Sequence, residues 1–216
     1  MPTATSNDGV LCFGGGDHAA TLQALCHHAR ERGWRGAIHA ADPEAAEHTF
    51  PSHAASGWRP GLVVFGAGRW EAGSALDTPS ERWEAHWRER CLPAARIGQA
   101  AITHLLQRGG GTLIFLGHTD GVTDARPAAS AALAPDGPPV FGAAHAAASA
   151  GMRALAQAMA RGFGPQGVHV AHLVCDLRGP ASPAQATAFA QACWALHAQP
   201  PSAWSHELDL RLTQVS

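Results

Sequence analysis

Thr112-Leu113-Ile114-Phe115-Leu116 decides the fold. A short apolar run without polar alternation, bounded by turn residues, reads as a strand buried on both faces, as in a parallel sheet covered by helices. On its N-terminal side a helical region runs from about Ser80 to Arg108, with Pro93 as the expected kink. On its C-terminal side lies a long loop rich in Pro, Ala and Gly, 118–140, and loops of that length tend to carry function. A small-residue helix from about Phe141 to Arg161, a strand from Val168 to Cys175, a helix from about Ala184 to Ala198 and a strand around Glu207 to Leu212 follow.

The N-terminal half repeats the alternation. Val10-Leu11-Cys12-Phe13 is a strand ended by Gly14-Gly15-Gly16, Asp17 opens a helix and Gly33 closes it. Ala37-Ile38-His39-Ala40 is a second strand, stopped by Asp42-Pro43, and Leu62-Val63-Val64-Phe65 is a third, stopped by Gly66-Ala67-Gly68. Strands alternating with helices predict an α/β fold, a Rossmann-like doubly wound parallel sheet. With no repeat and no linker, residues 1–216 read as a single domain.

Composition narrows the function classes. A net charge of −2 without a basic block gives no electrostatic basis for binding nucleic acid or a membrane surface. No apolar run approaches the roughly 20 residues needed to span a bilayer. Five widely spaced cysteines without a C-x-x-C pair predict buried thiols in a reducing, cytoplasmic setting. The histidines show no ligand spacing with acidic or Cys partners, so no metal site is expected. The chain has no tyrosine, and all 15 of its Lys and Arg residues are Arg. Any activity must therefore avoid a phenol or a lysine amine.

Three further segments carry a resemblance. They are Gly111-Thr112-Leu113-Ile114-Phe115, Ala154-Leu155-Ala156-Gln157-Ala158-Met159-Ala160-Arg161 and Gly164-Pro165-Gln166-Gly167-Val168-His169-Val170-Ala171-His172. Together they resemble the short-chain dehydrogenase/reductase family, and the ending from Leu196 to Arg211 is similar to one bacterial branch of it. The resemblance is good from about Ser80 to Arg211, moderate from Val10 to Asp42, and fails between Pro43 and Pro60. The family places a strand and a helix more in that interval than about 20 residues allow. A sheet truncated by about one β-α unit after the second strand is expected, with the shortened region at 43–60 and an incomplete adenine pocket.

For the cofactor, the resemblance implies NAD(P) on the glycine turn, here Gly14, Gly15 and Gly16, with Asp42 as the acid that would hold the adenosine ribose. The family's later two glycine positions fall on His18 and Ala20. His18 adds bulk where backbone should approach the pyrophosphate. A carboxylate at Asp17 would cap the helix N–H groups that an anion would use. Asp42, before Pro43, also reads as a turn acid, which is the favoured reading. The expectation is that no cofactor binds, with NAD(P) the nucleotide if one does.

For catalysis, the resemblance implies an Asn, Ser, Tyr and Lys relay, in which an ammonium lowers the phenol's pKa from about 10. Aligned here, the Tyr position is His145, the Lys position Ser149 and the Asn position Arg90. The Ser position falls at His118 or Thr119. With all four changed, ordinary carbonyl reduction is expected to be lost.

Two readings of function follow. One is a non-catalytic pseudoenzyme that forms a homo-oligomer, or a hetero-oligomer with an active paralogue, through helices 80–108 and 141–161. The small face Ala144, Ala147, Ala148 and Gly151 would allow close helix approach. The other is an enzyme, either a divergent NAD(P)-dependent oxidoreductase or a non-redox acid/base catalyst. In the latter His145, which titrates near neutrality without help, moves the proton beside His118, Asp120, Arg90 and Ser149.

Overall fold

The structure is a computed structural model and describes residues 8–118, 142–175 and 181–210. The predicted loop beyond His118, with Thr119 and Asp120, lies outside the described residues, as do Arg211 and Leu212.

Six parallel strands form one sheet in the order β2-β1-β3-β4-β5-β6. They are β1 (Gly9–Gly14), β2 (Arg35–His39), β3 (Leu62–Gly66), β4 (Gly111–Gly117), β5 (Val168–Cys175) and β6 (Glu207–Leu210). The helices are α1 (Ala19–Glu31), α2 (Pro43–Ala55), α3 (Ser80–His86), α4 (Leu92–Arg108), α5 (Ala143–Phe163) and α6 (Pro183–His197). Strand residues alternate between two buried layers. Leu11, Phe13, Val63, Phe65, Leu113 and Phe115 join the core that includes residues of α2, α4 and α5. Val10, Cys12, Leu62, Val64, Ile114 and Leu116 join that of α1 and α6. Burial on both faces is why β3 and β4 read as unbroken apolar runs.

The doubly wound order 3-2-1-4-5-6 places another strand outside the second one. Here that place is empty among the described residues, and β2 is the edge, with Ile38 38% exposed. The shortened interval is not featureless. It holds α2, started by Asp42, whose carboxylate accepts the Glu44 N–H at 2.9 Å, and by Pro43 in the first turn. The helix of the missing unit is present and its strand is not.

The helical region from Ser80 to Arg108 also differs in detail. A wide π-type turn spans Trp87–Cys91, with the Leu92 N–H donating to the Trp87 carbonyl. Pro93 has no N–H for the Glu89 carbonyl, and its ring would strike that carbonyl in a regular helix. Widening the turn before it relieves the clash.

On α5 the expected small face is used internally. Ala144 and Ala148 are buried, and the Cys91 thiol donates to the Ala148 carbonyl at 2.9 Å. Gly151 packs on Trp87, where an added Cβ would meet Cζ3 at 2.8 Å. Of those four residues only Ala147 is exposed.

Candidate active site

The sheet's order reverses between β1 and β3, and ligands of such folds bind outside the strands' carboxyl ends at this point. Gly14 pairs with Gly66 in register, and the Gly15 N–H donates to the Gly66 carbonyl at 3.2 Å. The approach requires glycine, since a Cβ on Gly14 would lie 1.9 Å from the Gly66 oxygen. Gly16, at φ +61°, then opens a short 3-10 turn through His18 that feeds α1.

Asp17 does not cap α1 as expected. Its carboxylate accepts the Trp70 N–H at 2.9 Å, 53 residues along the chain. The side chain thus ties the glycine turn to the segment after β3. His18 is buried, and its Nδ1 has no hydrogen-bond partner. Burial first, then the nearby Arg90 cation and His118, push its pKa down to about 3.

Arg90 enters from the wide turn ahead of α4 and lies against Gly68, where a Cβ would sit 2.9 Å from its Nε. It is buried, and burial lowers its pKa to about 10 against the opposing pull of Asp17. His86, one turn earlier, is also buried and lies 3.5 Å from the Glu71 carboxylate. Its pKa is lowered by burial and then by Arg90.

His145 stands at the centre on α5 and is 0% exposed. Its ring meets His118 edge-on at a centroid distance of 4.9 Å and His86 at 6.0 Å. Burial, followed by Arg90, His118, His86 and His18, drives its pKa down to about 2. Ser149, one turn on, is fully buried and its Oγ has no hydrogen-bond partner.

The structure therefore brings together His145, Ser149, Arg90 and His118, as the alignment implied. Thr119 lies outside the described residues. Gly14, Gly15 and Gly16 form the turn at the mouth, and Asp42 stands apart as the N-cap of α2. Sequence reasoning missed His86. Its signal was the four-residue spacing to Arg90, which puts both side chains on one helical face. It treated His18 only as bulk, whereas the ring joins the cluster.

The cluster's chemistry follows from these values. A general acid or base works best with a pKa near the operating pH. An imidazole sealed from water at about 2 stays neutral and holds no exchangeable positive charge.

Beside the cluster, a cleft of about 870 Å³ opens between Gly16, Gly68, Pro43 and Pro93. Its guanidinium groups are largely spoken for: Arg82 pairs with Glu71, Arg88 with Glu84 and Arg96 with Glu47. The residues do not fit a dinucleotide well. The Asp17 carboxylate, held by the Trp70 N–H, places a like charge beside the turn a pyrophosphate would use, and the buried His18 ring adds bulk there. Asp42 is committed to its own helix. Among the described residues, no group of three or more His, Cys, Asp or Glu side chains is placed to hold a metal ion, and no helix is long and apolar enough to cross a membrane.

The topology and site position define the short-chain dehydrogenase/reductase fold. A short-chain dehydrogenase from Rhodopseudomonas palustris is 24% identical, with 96% of this chain and 99% of that one covered and a TM-score of 0.74. An acetoin dehydrogenase from Enterobacter cloacae is 14% identical over 97% and 95% of the two chains, with a TM-score of 0.71. A metagenomic short-chain oxidoreductase in complex with NADP is 18% identical over 97% and 100%, with a TM-score of 0.67. No known family profile matches the chain, and no curated protein matches it.

Proposed function

We propose that this chain is a non-catalytic member of the short-chain dehydrogenase/reductase fold, retained as a subunit of an oligomer and working without NAD(P). The observation that carries this reading is His145. It occupies the position of the family's proton-transferring tyrosine, yet it is sealed from solvent with its pKa pushed down to about 2. Ser149, at the lysine position, is equally buried and cannot supply a cation. The same observation weighs against the acid/base alternative, because a catalyst must reach its substrate and hold a proton near working pH.

The oligomer contact is proposed on the outer face of α5. The exposed residues there are Ala147, Ala150, Ala154 and Ala158, with Trp87, 47% exposed, seated on Gly151 beside them. Native mass spectrometry of the protein taken from its own cells tests subunit number and bound nucleotide together. An assembly of two or more chains without nucleotide is expected, containing either copies of this chain or an active paralogue. A monomer carrying one equivalent of NAD(P) would overturn the reading.

A further inference from the structure

We propose that Cys12 and Cys26 form a peroxide-oxidisable thiol pair, which closes into a disulfide across β1 and α1. Cys12 lies at the middle of β1 and points into the layer beneath α1, where Cys26 faces it with the two Sγ atoms 4.0 Å apart. A disulfide bond is about 2.05 Å long, so closure requires the two sulfurs to approach by about 2 Å.

The two thiols have unequal roles. The Cys12 S–H, acting on Cys26, and the nearby Arg30 guanidinium favour the Cys26 thiolate, whereas that same contact with Cys26, and then burial, hold Cys12 protonated. Cys26 is thus the nucleophile and Cys12 the resolving thiol. Both residues are buried, Cys12 0% and Cys26 2% exposed, and the Gly36 backbone of the edge strand β2 packs directly on Cys26, so peroxide must enter between α1 and β2.

The chemistry balances with hydrogen peroxide as oxidant. The Cys26 thiolate attacks one peroxide oxygen, an S–O bond forms, the O–O bond breaks, and hydroxide leaves as water after taking a proton. The Cys12 sulfur then attacks the Cys26 sulfenic acid; the S–S bond forms, and the S–O bond breaks. Hydroxide leaves with the Cys12 proton as a second water. Two electrons pass from the thiols to the peroxide. The loop so closed contains Gly14 to His18, so oxidation pins the turn at the mouth of the histidine cluster.

The test exploits the missing lysines. Arg30 is the first arginine, so trypsin leaves Cys12 and Cys26 on one peptide ending at Arg30, and none of the other three cysteines is on it. The folded protein is treated with hydrogen peroxide, denatured, alkylated and digested. The expected product is that peptide, unalkylated and lighter by two hydrogen atoms than its reduced form. A peptide that stays doubly alkylated, gains oxygen as sulfinic or sulfonic acid, or becomes linked to the Cys193 peptide overturns the proposal. In Cys12→Ser the Cys26 sulfenic acid has no resolving partner, and dimedone labels the same peptide. Absence of that label in the folded variant counts equally against the assignment. Should the variant not fold, the mass of the wild-type peptide still decides.

Discussion

His118 and His145 meet edge to face, with ring centroids 4.9 Å apart and ring planes at 87°. One ring extends from the carboxyl end of β4 and the other from α5, so the sheet and the helix touch through imidazoles. With His18, His86 and Arg90 they form a buried polar knot, and its properties set several measurable outcomes.

Acid should loosen this knot. In the folded chain His18 and His145 resist protonation down to about 3 and about 2, while in the unfolded chain they take up a proton near 6.5. The unfolded state therefore binds more protons below pH 6.5, and stability is full above that value and falls as the pH drops toward the folded pKa values. Each imidazole contributes a loss of about 1.4 kcal/mol per pH unit in that window. Urea unfolding followed from pH 7.5 to pH 5 should show this slope, and His145→Phe should flatten it by about the share of one histidine. A slope unchanged by that substitution would remove His145 from the account.

Arg90→Met should move acid unfolding to lower pH. The guanidinium is the second cause, after burial, of the low pKa of both His18 and His145. Without it their folded pKa values rise toward 6.5, and fewer protons separate the two states. Circular dichroism against pH reads the midpoint, and a shift to higher pH would contradict the arrangement.

Gly151→Leu should destabilise the chain by about 2 kcal/mol, because even a Cβ there meets the Trp87 ring at 2.8 Å and overpacked contacts cost about 1–3 kcal/mol. Thermal unfolding checks the direction. A variant as stable as wild type would mean that α5 and the wide turn are not packed as described.

Ser182→Ala should cost about 1 kcal/mol. The Ser182 hydroxyl accepts the Gln185 N–H at 3.3 Å, and the Gln185 side chain accepts the Ser182 N–H at 2.8 Å, a reciprocal cap on α6. Chemical denaturation would show a lowered midpoint with an unchanged slope.

Much of this architecture was legible in the sequence because both faces of the sheet are covered. β3 and β5 are buried throughout and β4 at every residue after Gly111, and the strand predicted at Val168 to Cys175 has the same limits in the structure. α2 was not legible, because Pro51 interrupts its pattern and few of its residues are buried. At the site, alignment placed His145, Ser149 and Arg90 together. Two features escaped it for a physical reason: the Asp17 carboxylate finds its partner at Trp70, and Gly151 finds Trp87, across distances in the chain that no local pattern encodes. The small face of α5 looked available for another chain for the same reason. Its partner turned out to be the wide turn before Pro93.

The most direct measurement is calorimetric titration of the purified chain with NADPH and with NADH. The account predicts no saturable binding tighter than about 100 μM, because the Asp17 carboxylate sets a like charge beside a pyrophosphate at the turn and the buried His18 ring fills space there. A dissociation constant below about 10 μM, near −7 kcal/mol, would contradict it and return the chain to the cofactor-binding members of its fold.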